Sequence, residues 1–69
     1  MLRKRSFSLS GHRTSVALEP EFWAVLEAEA VAAQRSLASL VIEIDGARGT
    51  TPLASALRLH ALAAVRNGK

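Results

Sequence analysis

Between Arg13 and Leu18 the chain alternates: Thr14, Val16 and Leu18 fall on one side of an extended backbone, and Arg13, Ser15 and Ala17 on the other. A period of two marks a strand with one buried face. Upstream, Phe7 and Leu9 alternate with Ser6, Ser8 and Ser10, but on odd positions, and the phase breaks at Gly11. A two-residue type II′ turn at Gly11-His12 would set Leu9 opposite Thr14 and Phe7 opposite Val16, so that all the apolar residues share a face. The competing reading leaves residues 1–12 as a basic arm with incidental alternation, and the arm is preferred. No internal repeat stands out.

Beyond Leu18 the apolar spacing becomes helical. Glu19-Pro20-Glu21 suits a helix start, because proline is tolerated at the first position and acids near the N-terminus complement the helix dipole. Phe22, Trp23, Leu26 and Ala30 follow at helical spacing towards an end near Gln34. Ser36 then serves as an N-cap for a second helix whose stripe is Leu37, Leu40, Val41 and Ile44, stopped by Asp45-Gly46. After a loop over 46–50, Thr51 as N-cap and Pro52 at the first position open a third helix to about Arg66, closed by Asn67-Gly68. Its apolar residues Leu53, Leu57, Leu59, Leu62 and Val65 cover more than one stripe, so one face suits the core and another a second subunit or a protein partner.

Composition narrows the picture. With 69 residues the chain lies below the roughly 70–80 at which one hydrophobic core becomes self-sufficient. Thirteen alanines against three Phe and Trp residues favour close-packed helices. The absence of cysteine removes disulfides and thiolate metal sites, and two histidines with six acids form no zinc pattern, so neither metal nor cofactor is expected. The carboxylate pairs Glu19/Glu21, Glu27/Glu29 and Glu43/Asp45 are i, i+2 neighbours that do not face each other on a helix. With no nucleophile-base set and no phosphate-binding loop, an enzyme is not expected. No apolar run approaches the roughly 20 residues that span a bilayer, and no signal-peptide core follows the basic start, so the expectation is a cytoplasmic protein with no membrane partner.

A single strand beside a helical hairpin has unpaired edges and buries too little alone. Pairing it with its copy in a second chain would give an antiparallel two-stranded ribbon, and hence a homodimer. The shared core would combine Val16 and Leu18 of the strand, Phe22, Trp23 and Leu26 of the first helix, and Leu37, Leu40, Val41 and Ile44 of the second. Such a ribbon fits the DNA major groove, which is roughly 12 Å wide. Charge agrees with this: residues 1–18 carry +4, residues 19–45 carry −5 and residues 46–69 carry +4, within a net +3. A basic end on an acidic body suits a polyanion. Arg13, Ser15 and Ala17 would face base edges in double-stranded DNA, while Arg3, Lys4, Arg5 and His12 would meet phosphates. Trp23, at the start of an amphipathic helix beside Phe22, is read as structural, and His60 as a helix-surface or interface residue.

The stretches Gly11-His12-Arg13-Thr14-Ser15-Val16-Ala17-Leu18-Glu19-Pro20-Glu21-Phe22-Trp23 and Arg35-Ser36-Leu37-Ala38-Ser39-Leu40-Val41 resemble the ribbon-helix-helix family of Arc/MetJ-type repressors and antitoxins. Within it they look like a bacterial branch with an extra C-terminal helix. The resemblance implies a mainly α fold with one N-terminal β-strand. Residues 1–12 would be a basic arm or an extra hairpin strand, 13–45 the ribbon-helix-helix core, and 46–69 a loop and C-terminal helix. It also implies a DNA-binding transcriptional regulator in which the backbone amides of Ser36 and Leu37 grip a phosphate, as helix N-termini do. The sequence departs from the family pattern twice. Gln34 must take a conformation usually given to glycine, and Ala17 offers only a methyl where a polar residue is usual. The alternative is an antitoxin or small adaptor that uses the C-terminal helix on a protein partner. Higher oligomers through residues 52–66 are a further expectation.

Overall fold

The computed structural model describes residues 1–67. Strand β1 (Arg3–Leu9) and strand β2 (His12–Leu18) form an antiparallel hairpin, followed by helices α1 (Pro20–Ala32), α2 (Leu37–Ala47) and α3 (Leu53–Asn67). The hairpin is one layer and the three helices are the other, with the core between them.

The hairpin corrects the preferred reading of the N-terminus. Residues 3–9 are a strand rather than an arm, and β2 finds its partner in its own chain. The cause is apolar burial: Phe7 and Leu9 are 8% and 6% exposed, and each side chain fully buried stabilises by about 1.5–3 kcal/mol. Trp23, itself buried, adds a polar tie by donating from Nε1 to the Arg3 carbonyl at 2.8 Å. Its ring lies 6.0 Å from that of Phe7.

The turn also differs. Its central residues are Ser10 (φ 52°) and Gly11 (φ 81°), both in the left-handed region that a type I′ turn requires. Phe7 therefore pairs with Thr14 and Leu9 with His12, a shift of two residues from the register that a Gly11-His12 turn would set. A shift of two preserves side-chain parity, so the apolar residues still share a face. This register also brings Arg5 onto α1, where its guanidinium lies 5.1 Å from the centre of the Trp23 ring and Nη1 lies 2.5 Å from Glu27 Oε2.

α1 starts at Pro20, as its sequence implies, and ends in a Schellman arrangement. Gln34 has φ 55°, its amide donates to the Val31 carbonyl, and the Arg35 amide donates to the Ala30 carbonyl, both at 3.0 Å. Ser36 caps α2 by accepting from the Ser39 amide at 3.0 Å. The helix continues through Gly46 to Ala47, past the expected stop at Asp45-Gly46. A helical glycine costs about 1 kcal/mol, and here Arg48 holds the last turn: its Nε donates to Asp45 Oδ1 and its Nη1 to the Thr51 carbonyl, both at 2.7 Å. α3 begins at Leu53, one residue later than a proline-first start, with the Pro52 carbonyl accepting from the Ala56 amide. Gly68, half of the expected closing pair, lies outside the described residues.

The residues expected to form a shared dimer core are instead enclosed within one chain. Val16, Leu18, Trp23, Leu26, Leu40, Val41 and Ile44 are buried, with Phe22 and Leu37 packed beside them. Phe7 and Leu9 of β1, Ala30 of α1, and Leu57 and Ala61 of α3 complete the core. α3 is fastened further by polar contacts: Arg58 Nε donates to Glu19 Oε1 at 2.9 Å, and His60 Nε2 lies 2.8 Å from Glu29 Oε2. A second strand and a third helix thus enlarge the core that one chain can enclose by itself.

Candidate nucleic-acid interface

Side-chain alternation divides the hairpin into two surfaces. Arg5, Phe7, Leu9, Thr14, Val16 and Leu18 lie on the helix side, while Lys4, Ser6, Ser8, Arg13, Ser15 and Ala17 lie on the outer side. On the outer side the directly opposed pairs are Lys4 with Ala17, Ser6 with Ser15, and Ser8 with Arg13. The two central hydroxyls, Ser6 Oγ and Ser15 Oγ, are hydrogen-bonded at 2.9 Å. Ala17 is half-buried and the other five are exposed.

Ion pairing concentrates unpaired positive charge on this hairpin. Arg5 pairs with Glu27, Arg35 with Glu43, Arg48 with Asp45, Arg58 with Glu19, and His60 faces Glu29. Among the described residues, the Lys and Arg side chains without an ion-pair partner are Arg3, Lys4, Arg13 and Arg66, three of them on the two strands, and residues 1–18 contain no acid. The Glu19 carboxyl is held below the usual carboxylate range, first by its hydrogen bond from Arg58 and then by its own backbone amide.

The expected contact residues are sorted accordingly. Arg13, Ser15 and Ala17 lie together on the outer face. The basic run 3–5 is split by the strand: Lys4 joins that face, Arg5 is engaged with Glu27 and Trp23, and Arg3 is exposed at the strand end with its carbonyl bonded to Trp23. His12 is exposed beside the turn. Ser36 and Leu37 stand at the start of α2, where the first amides of a helix have no intrahelical acceptor. In the same turn, Arg35 donates to the Ser39 carbonyl at 3.0 Å and to Ser39 Oγ, and pairs with Glu43. Ser6 and Ser8 were missed as surface partners of the β2 residues. Their alternation with Phe7 and Leu9 was the signal, and it became usable once β1 was paired to β2.

The profile of the ribbon-helix-helix domain matches residues 2–65. The chain belongs to the ribbon-helix-helix family. As a family, ribbon-helix-helix domains are DNA-binding transcription regulators or antitoxins that typically bind DNA as dimers and are typically not enzymes. No curated protein and no solved structure matches the chain. Among the described residues there is no group of three or more His, Asp or Glu side chains that could hold a metal ion, and no helix long and apolar enough to cross a membrane.

Proposed function

We propose that this ribbon-helix-helix protein is a sequence-specific or semi-specific double-stranded DNA-binding regulator of the repressor type, acting in the cytoplasm. The hairpin lies in the major groove with its outer face on the bases, and the Ser36 and Leu37 amides hold a phosphate. The observation that carries this reading is the outer face itself, a surface of hydroxyls and unpaired cations with no acid. Lys4 and Arg13 sit at opposite ends of it, four residues apart along the ladder, or roughly 14 Å at strand rise. With the strands running along the groove, that separation spans about four nucleotide steps at roughly 3.4 Å each.

A homodimer is part of the proposal, with a different basis from the one expected. β2 already has a strand partner in its own chain, and the apolar surface offered to a second copy is on α3, where Leu59, Leu62 and Val65 are each at least half exposed at successive turns. The same stripe supports the second reading, an antitoxin or adaptor with a protein partner on α3. Selection of genomic fragments by the purified protein at physiological salt separates the two. The regulator reading expects enrichment of a defined duplex sequence, with affinity falling steeply as salt rises. No enrichment, with duplex bound no better than heparin, would favour the partner reading.

A further inference from the structure

In a ribbon built from two copies of one chain, a two-fold axis makes the two strands identical. Here the strands are consecutive in one chain, yet the register carries an approximate form of the same symmetry. An axis through the Ser6–Ser15 pair, perpendicular to the sheet, maps each β1 residue onto the β2 residue nine positions later. Lys4 falls on Arg13, Ser6 on Ser15 and Ser8 on Ala17 on the outer face, while Phe7 falls on Val16 and Leu9 on Leu18 inside. Within this six-residue span Arg5 and Thr14 are unlike, and Ala17 offers a methyl where Ser8 offers a hydroxyl. The chain thus does hold a short internal repeat, one that becomes visible when the strands are folded against each other.

We propose that β1 stands in for the strand of a second copy, so that one chain presents a complete pseudo-symmetric reading ribbon with Lys4 as the counterpart of Arg13. This rests on the DNA-binding reading and adds a specificity-determining residue and the form of the site. Arg and Lys both recognise guanine through O6 and N7. The footprint of one ribbon is therefore a short quasi-palindrome with guanine favoured near both ends. Discrimination is stronger on the Arg13 side, because a guanidinium offers two fixed donors where an ammonium is a point charge.

Geometry opposes a strand from another chain in the groove. Replacing β1 would expose Phe7 and Leu9 and break the Trp23–Arg3 and Arg5–Glu27 contacts. Adding a copy of β2 at the open edge would make four strands, roughly 14 Å between the outer strand axes and wider than the groove. The covalent two-residue turn also keeps β1 at a high effective concentration.

Two measurements test the inference. The first is strand provenance. Ser6 and Ser15 occupy a non-hydrogen-bonded pair, where opposed Cα atoms are about 4.5 Å apart, within disulfide reach. The double variant Ser6→Cys/Ser15→Cys, in a chain with no other cysteine, should oxidise to an intrachain bond and run as a monomer on a non-reducing gel. A covalent dimer as the main product overturns the proposal. The second is fragment selection with the parent chain, Lys4→Ala and Arg13→Ala. Each variant should lose guanine preference at its own end of the site and about tenfold in affinity. If the parent selects a site and Lys4→Ala selects the same one unweakened, the inference fails while the DNA-binding reading stands. If the parent selects nothing, that reading fails and the inference goes with it.

Discussion

On the helix side of the hairpin, Phe7, Leu9, Val16 and Leu18 are closed off from solvent, whereas the residues between them, Ser6, Ser8, Arg13 and Ser15, are open to it. The same backbone supplies both surfaces, so the difference is made by parity alone. Even positions of β1 and odd positions of β2 are left facing solvent because their neighbours hold the sheet to α1, α2 and α3. On the proposed reading, folding and binding can therefore be perturbed separately within seven residues of strand.

The largest effect should come from removing the inner face of β1 altogether. Deleting residues 1–10 takes away Phe7 and Leu9, about 3–6 kcal/mol of apolar burial, and a thermal melt at matched concentration should show a large drop or no folded baseline. An unchanged midpoint would restore the arm. A sharper version compares neighbours: Leu9→Ala should destabilise by about 2–5 kcal/mol, while Ser8→Ala should stay within about 0.5 kcal/mol. Denaturant midpoints report both.

Smaller effects refine the hairpin without touching either face. Ser10 holds a positive φ where Asn is favoured at the first centre of a type I′ turn, so Ser10→Asn should add about 0.5 kcal/mol, read as a higher urea midpoint. The smallest effect lies outside the hairpin. The Glu19 carboxyl titrates below its ordinary value in the fold, so its contribution is present at neutral pH and is lost as the pH falls below about 4.3 and through the lowered folded value. With that side chain 40% exposed, the contribution is small. The melting-temperature difference between the parent chain and Glu19→Gln should be slight at pH 7 and vanish in acid.

Much of this was legible in the sequence. The period of two over 13–18, the proline entry to α1 and the Ser36 cap follow from local chemistry, the left-handed Gln34 follows from the family resemblance, and all are found. Periodicity says which face of a strand is buried but not which strand lies beside it, so residues 3–9 could be read as an arm. The turn was misplaced because serine carries little of the signal that Asn or Asp gives for a type I′ turn. The ties of α3 were beyond reach, because Arg58–Glu19 and His60–Glu29 join residues 39 and 31 positions apart. The quasi-repeat is faint in the sequence because only Ser6/Ser15 and Leu9/Leu18 are identical, and its meaning lies in the register.

Duplex binding by the double variant Lys4→Ala/Arg13→Ala, titrated against the parent chain on the selected sequence at several salt concentrations, tests the division of the two faces most directly. The account expects an unchanged melting temperature, affinity lower by about a hundredfold, and a log-log salt slope little changed, because the side chains removed face bases rather than phosphates. Unchanged affinity in a folded variant would contradict it, because the outer face of the hairpin would then not be the surface that meets DNA.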